Sequence, residues 1–319
     1  MNDVSSFAQR DKRMTGRGRQ DVHPFNARAA FLTVLWALQQ TTMPELPEVE
    51  VTRRGIAPAL TGQTVSGVVA RVPRLRYPLP GNLEPVLVGQ ALQGIRRRGK
   101  YLLLDFSTGV LLLHLGMSGH LRLLPRAANG TLAAPQKHDH FDLCFASTVL
   151  RLHDPRRFGA VLWLPGDTVA HHPLLKALGI EPLEAAFTAH WLHAATRNSS
   201  VAIKPWLMDG HRVVGIGNIY ASESLFRAGI DPRSAAGRLS LKRLERLVTE
   251  IRLTLQAAIA AGGSSLRDFI HSDGSAGYFQ QQYYVYGRAG APCRVCGQPI
   301  LSLRQAQRAS FYCGQCQRR

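Results

Sequence analysis

The sequence predicts an α+β protein, with a short helix and a β-rich part first, a helical part next and a metal-binding hairpin last. Three observations carry this reading. Six short β-type runs, separated by Pro, Gly and Asn clusters, lie between residues 64 and 164, the pattern of a sandwich or a barrel. After residue 166 the apolar spacing becomes helical. Four of the five cysteines close the chain as Cys293-x2-Cys296-x16-Cys313-x2-Cys316, inside the spacing window of a tetrahedral zinc site.

Residues 1–42 differ from the rest. The first twenty are polar and Arg-rich, and 31–38 suit one short helix. Asp3, Asp11 and Asp21 argue against a mitochondrial presequence, and no apolar secretory core lies near the start. A disordered tail or a mis-assigned translation start is expected, with structure opening at Met43. Pro47 then suits the first turn of a helix, and Glu45, Glu48 and Glu50 complement its amino end. Leu46, Val49, Ile56 and Leu60 give it one apolar face, and Gly62 a stop.

Strands are expected over 64–72, 101–106, 110–115, 141–145, 149–153 and 160–164, and helices over 171–178, 188–196, 218–228 and 240–261. The last helix is the clearest. Leu241, Leu244, Leu247, Val248, Ile251 and Leu255 share one side, and Gly262-Gly263 ends it. A β-type segment at 283–286 leads into the cysteine hairpin. The expected division is a 1–42 extension, a β-sandwich domain 43–168, a helical domain 169–280 and a zinc finger 281–319, with no internal repeat.

Each C-x2-C pair can aim two thiolates at one ion. Four thiolates leave no open coordination position, so one structural zinc is expected, not a catalytic one. A disulfide framework fits less well, because no secretory signal is visible and Cys144 is left over. Cys144 lies in an alternating apolar stretch and reads as a core thiol.

The 39 Lys+Arg against 21 Asp+Glu give a net charge of +18. With 45% hydrophobic residues the chain is globular and not disordered, so the charge lies on a folded surface and points to a polyanion, nucleic acid or anionic membrane. No apolar run approaches the ~20 residues of a membrane span. Removing 1–42 leaves 33 Lys+Arg and 18 Asp+Glu, a net +15, so the basicity belongs to the folded body.

Basic residues gather at Arg96-Arg97-Arg98-Gly99-Lys100, at Asp154-Pro155-Arg156-Arg157-Phe158-Gly159, and at Arg304, Arg308, Arg318 and Arg319. Together they favour phosphate contacts. Gly215 and Gly217 before a helix can bring N–H groups to a phosphate or merely allow close packing. His138-Asp139-His140 would place both histidines on one strand face. Without a third ligand nearby they read as surface or phosphate-contact residues.

Met43-Pro44-Glu45-Leu46-Pro47-Glu48-Val49-Glu50 resembles the start of formamidopyrimidine-DNA glycosylase, the bacterial base-excision repair family for oxidised purines. Gly99-Lys100-Tyr101-Leu102, His114-Leu115-Gly116-Met117-Ser118-Gly119, the Asp154 to Gly159 motif, Val214 to Glu223, Ser272-Asp273-Gly274 with Gly277-Tyr278-Phe279, and the cysteine hairpin with Gln307-Arg308 also look like family motifs, in order. The resemblance implies an N-terminal helix with a two-layer β-sandwich, a helix–two-turn–helix domain and a zinc-finger β-hairpin. It also implies a cytoplasmic bacterial enzyme, nucleoid-associated through DNA binding and monomeric, whose partner is double-stranded DNA containing damaged bases.

It further implies roles. Pro44, once N-terminal, is the nucleophile, and its secondary amine attacks the sugar C1′ to give an iminium through which both phosphates are eliminated. Glu45 is the proton carrier, Glu48 holds the site, and Lys100 assists base removal. Arg308 belongs with the catalytic set and also holds a phosphate. His138, Arg157, Lys204 and Asn218 are expected on the DNA. Met117, Arg156 and Phe158 form a wedge in the duplex, with Arg156 pairing to the opposite cytosine. From local sequence alone, Pro44 only precedes a helix, and Met117 and Phe158 are core residues.

Two features depart from the family. Ser275-Ala276 stand where some relatives carry Lys-Pro in the loop over the extruded base. An internal Pro44 is a tertiary amide and no nucleophile, so the functional chain is expected to start at Met43 and lose it. The competing readings are an oxidised-pyrimidine glycosylase of the endonuclease VIII type and a non-catalytic zinc-ribbon DNA-binding protein. The leading Pro-Glu-Leu-Pro-Glu-Val-Glu and the Asp-Pro-Arg-Arg-Phe-Gly segment favour the purine enzyme over the first.

Overall fold

The computed structural model describes residues 43–127, 129–263 and 283–319. The readings made on 1–42 and on 272–279, Ser275 included, lie outside the described residues.

Helix α1 (Leu46–Leu60) opens the fold. Its buried face carries Leu46, Val49, Ile56 and Leu60, as the periodicity predicts. Two antiparallel four-stranded sheets follow. One has the order β1 (Gly67–Ala70), β6 (Asp139–Cys144), β7 (Thr148–His153), β5 (His120–Pro125); the other runs β2 (Gly94–Arg98), β3 (Tyr101–Phe106), β4 (Gly109–His114), β8 (Ala160–Pro165). Alternation sorts the side chains. Leu102, Leu104, Leu111 and Leu113 join Phe141, Leu143, Leu150, Leu152 and the α1 face in one core. Leu103, Leu112 and Leu164 pack on the opposite face of their sheet. Cys144 is buried as expected.

Short helices α2 (Leu83–Leu87) and α3 (Pro173–Lys176) flank the sheets, and α4 (Ala189–Thr196), α5 (Ile203–Met208), α6 (Asn218–Arg227) and α7 (Leu241–Ala260) build the helical part. Leu244, Leu247, Val248, Ile251 and Leu255 of α7 share a core with Ile219, Tyr220 and Leu225 of α6. Leu46 of α1 reaches into the same core, so the first helix serves both halves. Strands β9 (Leu301–Gln305) and β10 (Arg308–Tyr312) form the terminal hairpin. Its two turn residues, Ala306 and Gln307, have φ of 43° and 61°, the left-handed pair a tight two-residue hairpin requires.

Three local expectations are corrected. The helix at 171–178 is a 3-10 turn, Gly166–His171, followed by one turn of α3. His172 precedes Pro173 and is held extended at ψ 129°, because the proline ring disfavours helix in the residue before it. Segment 283–286 is a bend and turn rather than a strand. The N–H groups of Tyr284, Val285 and Tyr286 all donate to the buried carboxylate of Glu223, which takes the place of a strand partner. Third, His138 and His140 do not share a strand face. His138 lies outside β6 at φ 77°, and the ladder slips between Asp139 and Phe141. His140 is buried, with Nε2 3.1 Å from Asp154 O, so it is not a surface residue.

Candidate active site and nucleic-acid interface

Pro44 is buried directly before α1. Glu45 follows at the N-cap position with its side chain 3% exposed. Its carboxylate is inserted into the amino end of α6. Oε2 accepts from Gly217 N at 2.7 Å and Tyr220 N at 3.4 Å, and Oε1 from Ile219 N at 2.9 Å. Burial raises the Glu45 pKa, and the Lys100 charge and these N–H groups oppose that rise. A carboxyl so balanced suits proton transfer.

Glu48, one helical turn on, accepts from Glu45 N at 2.8 Å and from the Tyr220 hydroxyl at 2.6 Å. Leu46 N donates to Gly215 O at 3.0 Å. The two glycines before α6 therefore admit α1: a Cβ at Gly215 would stand 2.7 Å from Leu46, and one at Gly217 2.3 Å from Glu45 Cδ. Of the two readings of that glycine pair, close packing accounts for the geometry.

Lys100 follows Gly99 at the β2–β3 turn, where φ is 56°. Gly99 N donates to Glu181 Oε1 at 2.6 Å, and Glu181 also accepts from Arg97 and Arg98. Lys100 lies near enough to Glu45, Glu48 and Arg308 for their charges to act on it. Its pKa is lowered by burial, opposed by Glu45 and assisted by Arg308. The β2–β3 turn thus brings Lys100 to the start of α1, where Pro44, Glu45 and Glu48 lie together.

Lys204, 1% exposed, directs Nζ at Asn218 Oδ1 (2.6 Å), Ala309 O (2.8 Å) and Ser310 Oγ (2.8 Å). It clasps α5, α6 and β10 together beside Arg308. Burial lowers its pKa to about 7. Arg308 itself is exposed at the hairpin turn.

Met117 is half-buried, while Arg156, Arg157 and Phe158 are exposed, Phe158 by 49%. Phe158 is therefore no core residue. The loops bearing Met117 and Phe158 meet backbone to backbone: a Cβ at Gly116 would fall 2.4 Å from Phe158 C. His138 is half-buried, its ring 5.8 Å from that of His153.

Cys293, Cys296, Cys313 and Cys316 bring all four sulfurs within 4.8 Å of one another, the one such metal-competent group among the described residues. The Cys293–Cys316 and Cys296–Cys313 sulfurs are 3.9 and 3.4 Å apart. Four thiolates ~2.3 Å from a central zinc would lie about 3.8 Å from each other, so the site fits one tetrahedral structural zinc.

A family model for the formamidopyrimidine-DNA glycosylase N-terminal domain matches residues 43–161. The model for the H2TH domain of the same family matches 178–270, and that for the zinc finger found in FPG and IleRS matches 290–319. Formamidopyrimidine-DNA glycosylase of Aromatoleum aromaticum is 58% identical over 277 residues, covering 87% of this chain and all of the relative.

The chain belongs to the formamidopyrimidine-DNA glycosylase family. The Herminiimonas arsenicoxydans member is 56% identical over 278 residues, covering 86% of this chain and all of that one. Crystal structures of the Lactococcus lactis member with Fapy-dG DNA and with abasic-site DNA each match at TM-score 0.77 and 35% identity, over 86% of this chain and all of theirs. The family is one of glycosylase/AP lyases, and this chain is such an enzyme.

Nothing in the local sequence marks Tyr220, which holds Glu48, or Glu181, which holds the turn before Lys100. Each is an ordinary buried polar residue until the fold supplies its partner.

Proposed function

We propose that the chain excises oxidised purines such as 8-oxoguanine and formamidopyrimidines from double-stranded DNA, then cuts the strand by β,δ-elimination, with Pro44 as nucleophile. The observation that carries this is the convergence of Pro44, Glu45 and Lys100, with Glu45 bonded across to α6. Attack by the Pro44 amine on C1′ forms a C–N bond as the C1′–base bond breaks. Glu45 then delivers a proton to the sugar ring oxygen, the C1′–O4′ bond opens, and the nitrogen lone pair closes the iminium. The iminium acidifies C2′, whose proton is lost as the 3′ phosphate leaves, and loss of the C4′ proton then expels the 5′ phosphate, with Glu45 carrying these protons. Lys100 assists departure of the base, and Arg308 acts in the second elimination.

Attack requires a free amine. In this chain Pro44 N is bonded to Met43, and an amide nitrogen has no available lone pair. The active form therefore begins at Pro44. The amino end of α1 and nearby Lys100 then favour the neutral amine.

Three parts divide the work: 43–168 for chemistry and wedge, 169–280 and 281–319 for the backbone of the DNA. Met117, Arg156 and Phe158 fill the gap left by the extruded base. His138, Arg157, Asn218 and Arg308 hold phosphates, with Lys204 orienting Asn218. Zinc supplies no chemistry, and its four thiolates shape the hairpin that carries Arg308. The enzyme acts as a cytoplasmic monomer, bound to the nucleoid through DNA.

Borohydride trapping tests the assignment. Protein of verified mass beginning at Pro44 is expected to give a covalent adduct with 8-oxoguanine:C DNA, and Pro44→Ala much less. A stable 319-residue form that traps equally well would defeat the Pro44 mechanism. Faster excision of thymine glycol than of 8-oxoguanine would favour the pyrimidine enzyme.

A further inference from the structure

The two exposed loops that carry Met117 and Phe158 are fastened by a single buried carboxylate. Asp154 is 0% exposed, although the four residues after it are all exposed. Its Oδ1 accepts from Ser118 Oγ at 2.9 Å, in the first loop. Its Oδ2 accepts from Gly159 N at 2.8 Å, at the far end of the second. Ser118 Oγ accepts in turn from Arg156 N at 3.2 Å, so the hydroxyl bridges both loops. The Asp154 backbone extends the fastening. Its N–H donates to His138 O, and its carbonyl accepts from Arg157 N and stands against His140 Nε2.

This hub holds conformations the loops would not keep alone. Arg157 has φ of 55°, a left-handed backbone that is strained for a non-glycine residue. The tip it supports buries little, since Phe158 remains half exposed. Core burial therefore does not hold the tip, and the hydrogen bonds to Asp154 do.

We propose that Asp154 is a positioning residue that locks loops 116–119 and 154–159 into one rigid wedge and so sets discrimination between bases opposite the lesion. The inference rests on the reading of Met117, Arg156 and Phe158 as that wedge. Arg156 can read a base edge only if its backbone is fixed, and its N–H is held through Ser118 by Asp154. Chemistry at C1′ uses none of these groups.

The test compares protein starting at Pro44 with its Asp154→Ala, Asp154→Asn and Ser118→Ala variants. Three readouts are taken: excision of 8-oxoguanine opposite C, the ratio of excision opposite C to that opposite A, and cleavage of a single-stranded abasic oligonucleotide, which has no stack to open and no opposite base. Asp154→Ala is expected to lose about tenfold or more opposite C and to narrow the ratio, with abasic cleavage within about twofold of the parent, because a buried charged acceptor is removed. Ser118→Ala gives the same pattern more weakly, and it carries the test if Asp154→Ala does not fold. Asp154→Asn, which keeps one acceptor oxygen, partly restores the ratio.

An unchanged ratio in both Ala variants overturns the proposal, as does an equal fall on all three substrates. Arg156→Ala and Phe158→Ala separate the two levels. If they alter the ratio and Asp154→Ala does not, only the positioning role fails. If they leave it unchanged, the wedge reading fails and the proposal with it.

Discussion

The Glu45 carboxylate rests on the backbone of Gly217: Oε2 accepts that N–H at 2.7 Å, and a Cβ there would fall 2.3 Å from Glu45 Cδ. Gly217→Ala must therefore push the carboxylate or α6 aside. A displacement near 1 Å at a proton-transfer group costs on the order of a hundredfold in rate. Steady-state excision should show that loss, with DNA affinity falling much less, because every phosphate-holding side chain is retained.

Two groups give acid sensitivity in separate windows. His114 Nδ1 accepts from Gly116 N at 3.0 Å, which needs an unprotonated nitrogen, and burial lowers its pKa from 6.5 to about 4. A base with a depressed folded pKa stabilises fully above its unfolded value, so stability falls between pH 6.5 and 4. Glu50, bonded to Arg53, Arg54 and Arg97, has its pKa lowered from 4.5 to about 2 by those arginines against the opposing effect of burial. Its contribution, present above pH 4.5, is lost on going toward 2. Each is worth up to about 3 kcal/mol by linkage. Urea unfolding from pH 7 to 3 should show Glu50→Gln flattening only the lower part of the decline, and His114→Gln only the upper.

Zinc removal should act through the Lys204 clasp. Nζ bonds to Ala309 O and Ser310 Oγ on β10, and the metal holds that hairpin closed. Chelation, or Cys313→Ser, is expected to weaken binding of abasic-site DNA by at least about tenfold. Unfolding of the β-sandwich should be unaffected, and circular dichroism with an affinity titration checks both outcomes.

Salt dependence counts the phosphate contacts. The affinity exponent changes by about 0.9 for each phosphate neutralised. Arg308→Ala should flatten the plot of log affinity against log salt by about one such step. Arg96→Ala should leave it unchanged, because Arg96 is paired with Asp105 at 2.6 Å.

Legibility in the sequence followed the locality of the cause. Local sequence predicts the strand at 101–106 to the residue, because alternation and turn residues are local. Strand β2 was hidden under a basic run, Arg96 to Arg98, whose charges are absorbed by Asp105, Glu50 and Glu181 from distant segments. The segment 283–286 looked like a strand, yet its N–H groups are taken by Glu223, about sixty residues earlier in the chain.

By itself the sequence determined the thiolate set, the basic body and the Pro44-Glu45 start of α1, because spacing, charge and helix entry are properties of neighbouring residues. Only the tertiary structure decided that Glu45 meets the amino end of α6, that Lys204 faces inward, and that Asp154 joins two loops. Those pairings span 172 residues from Glu45 to Gly217 and 106 from Lys204 to Ser310. A hydrogen bond has no signature in sequence until burial brings its two ends together and removes the water that would otherwise satisfy them.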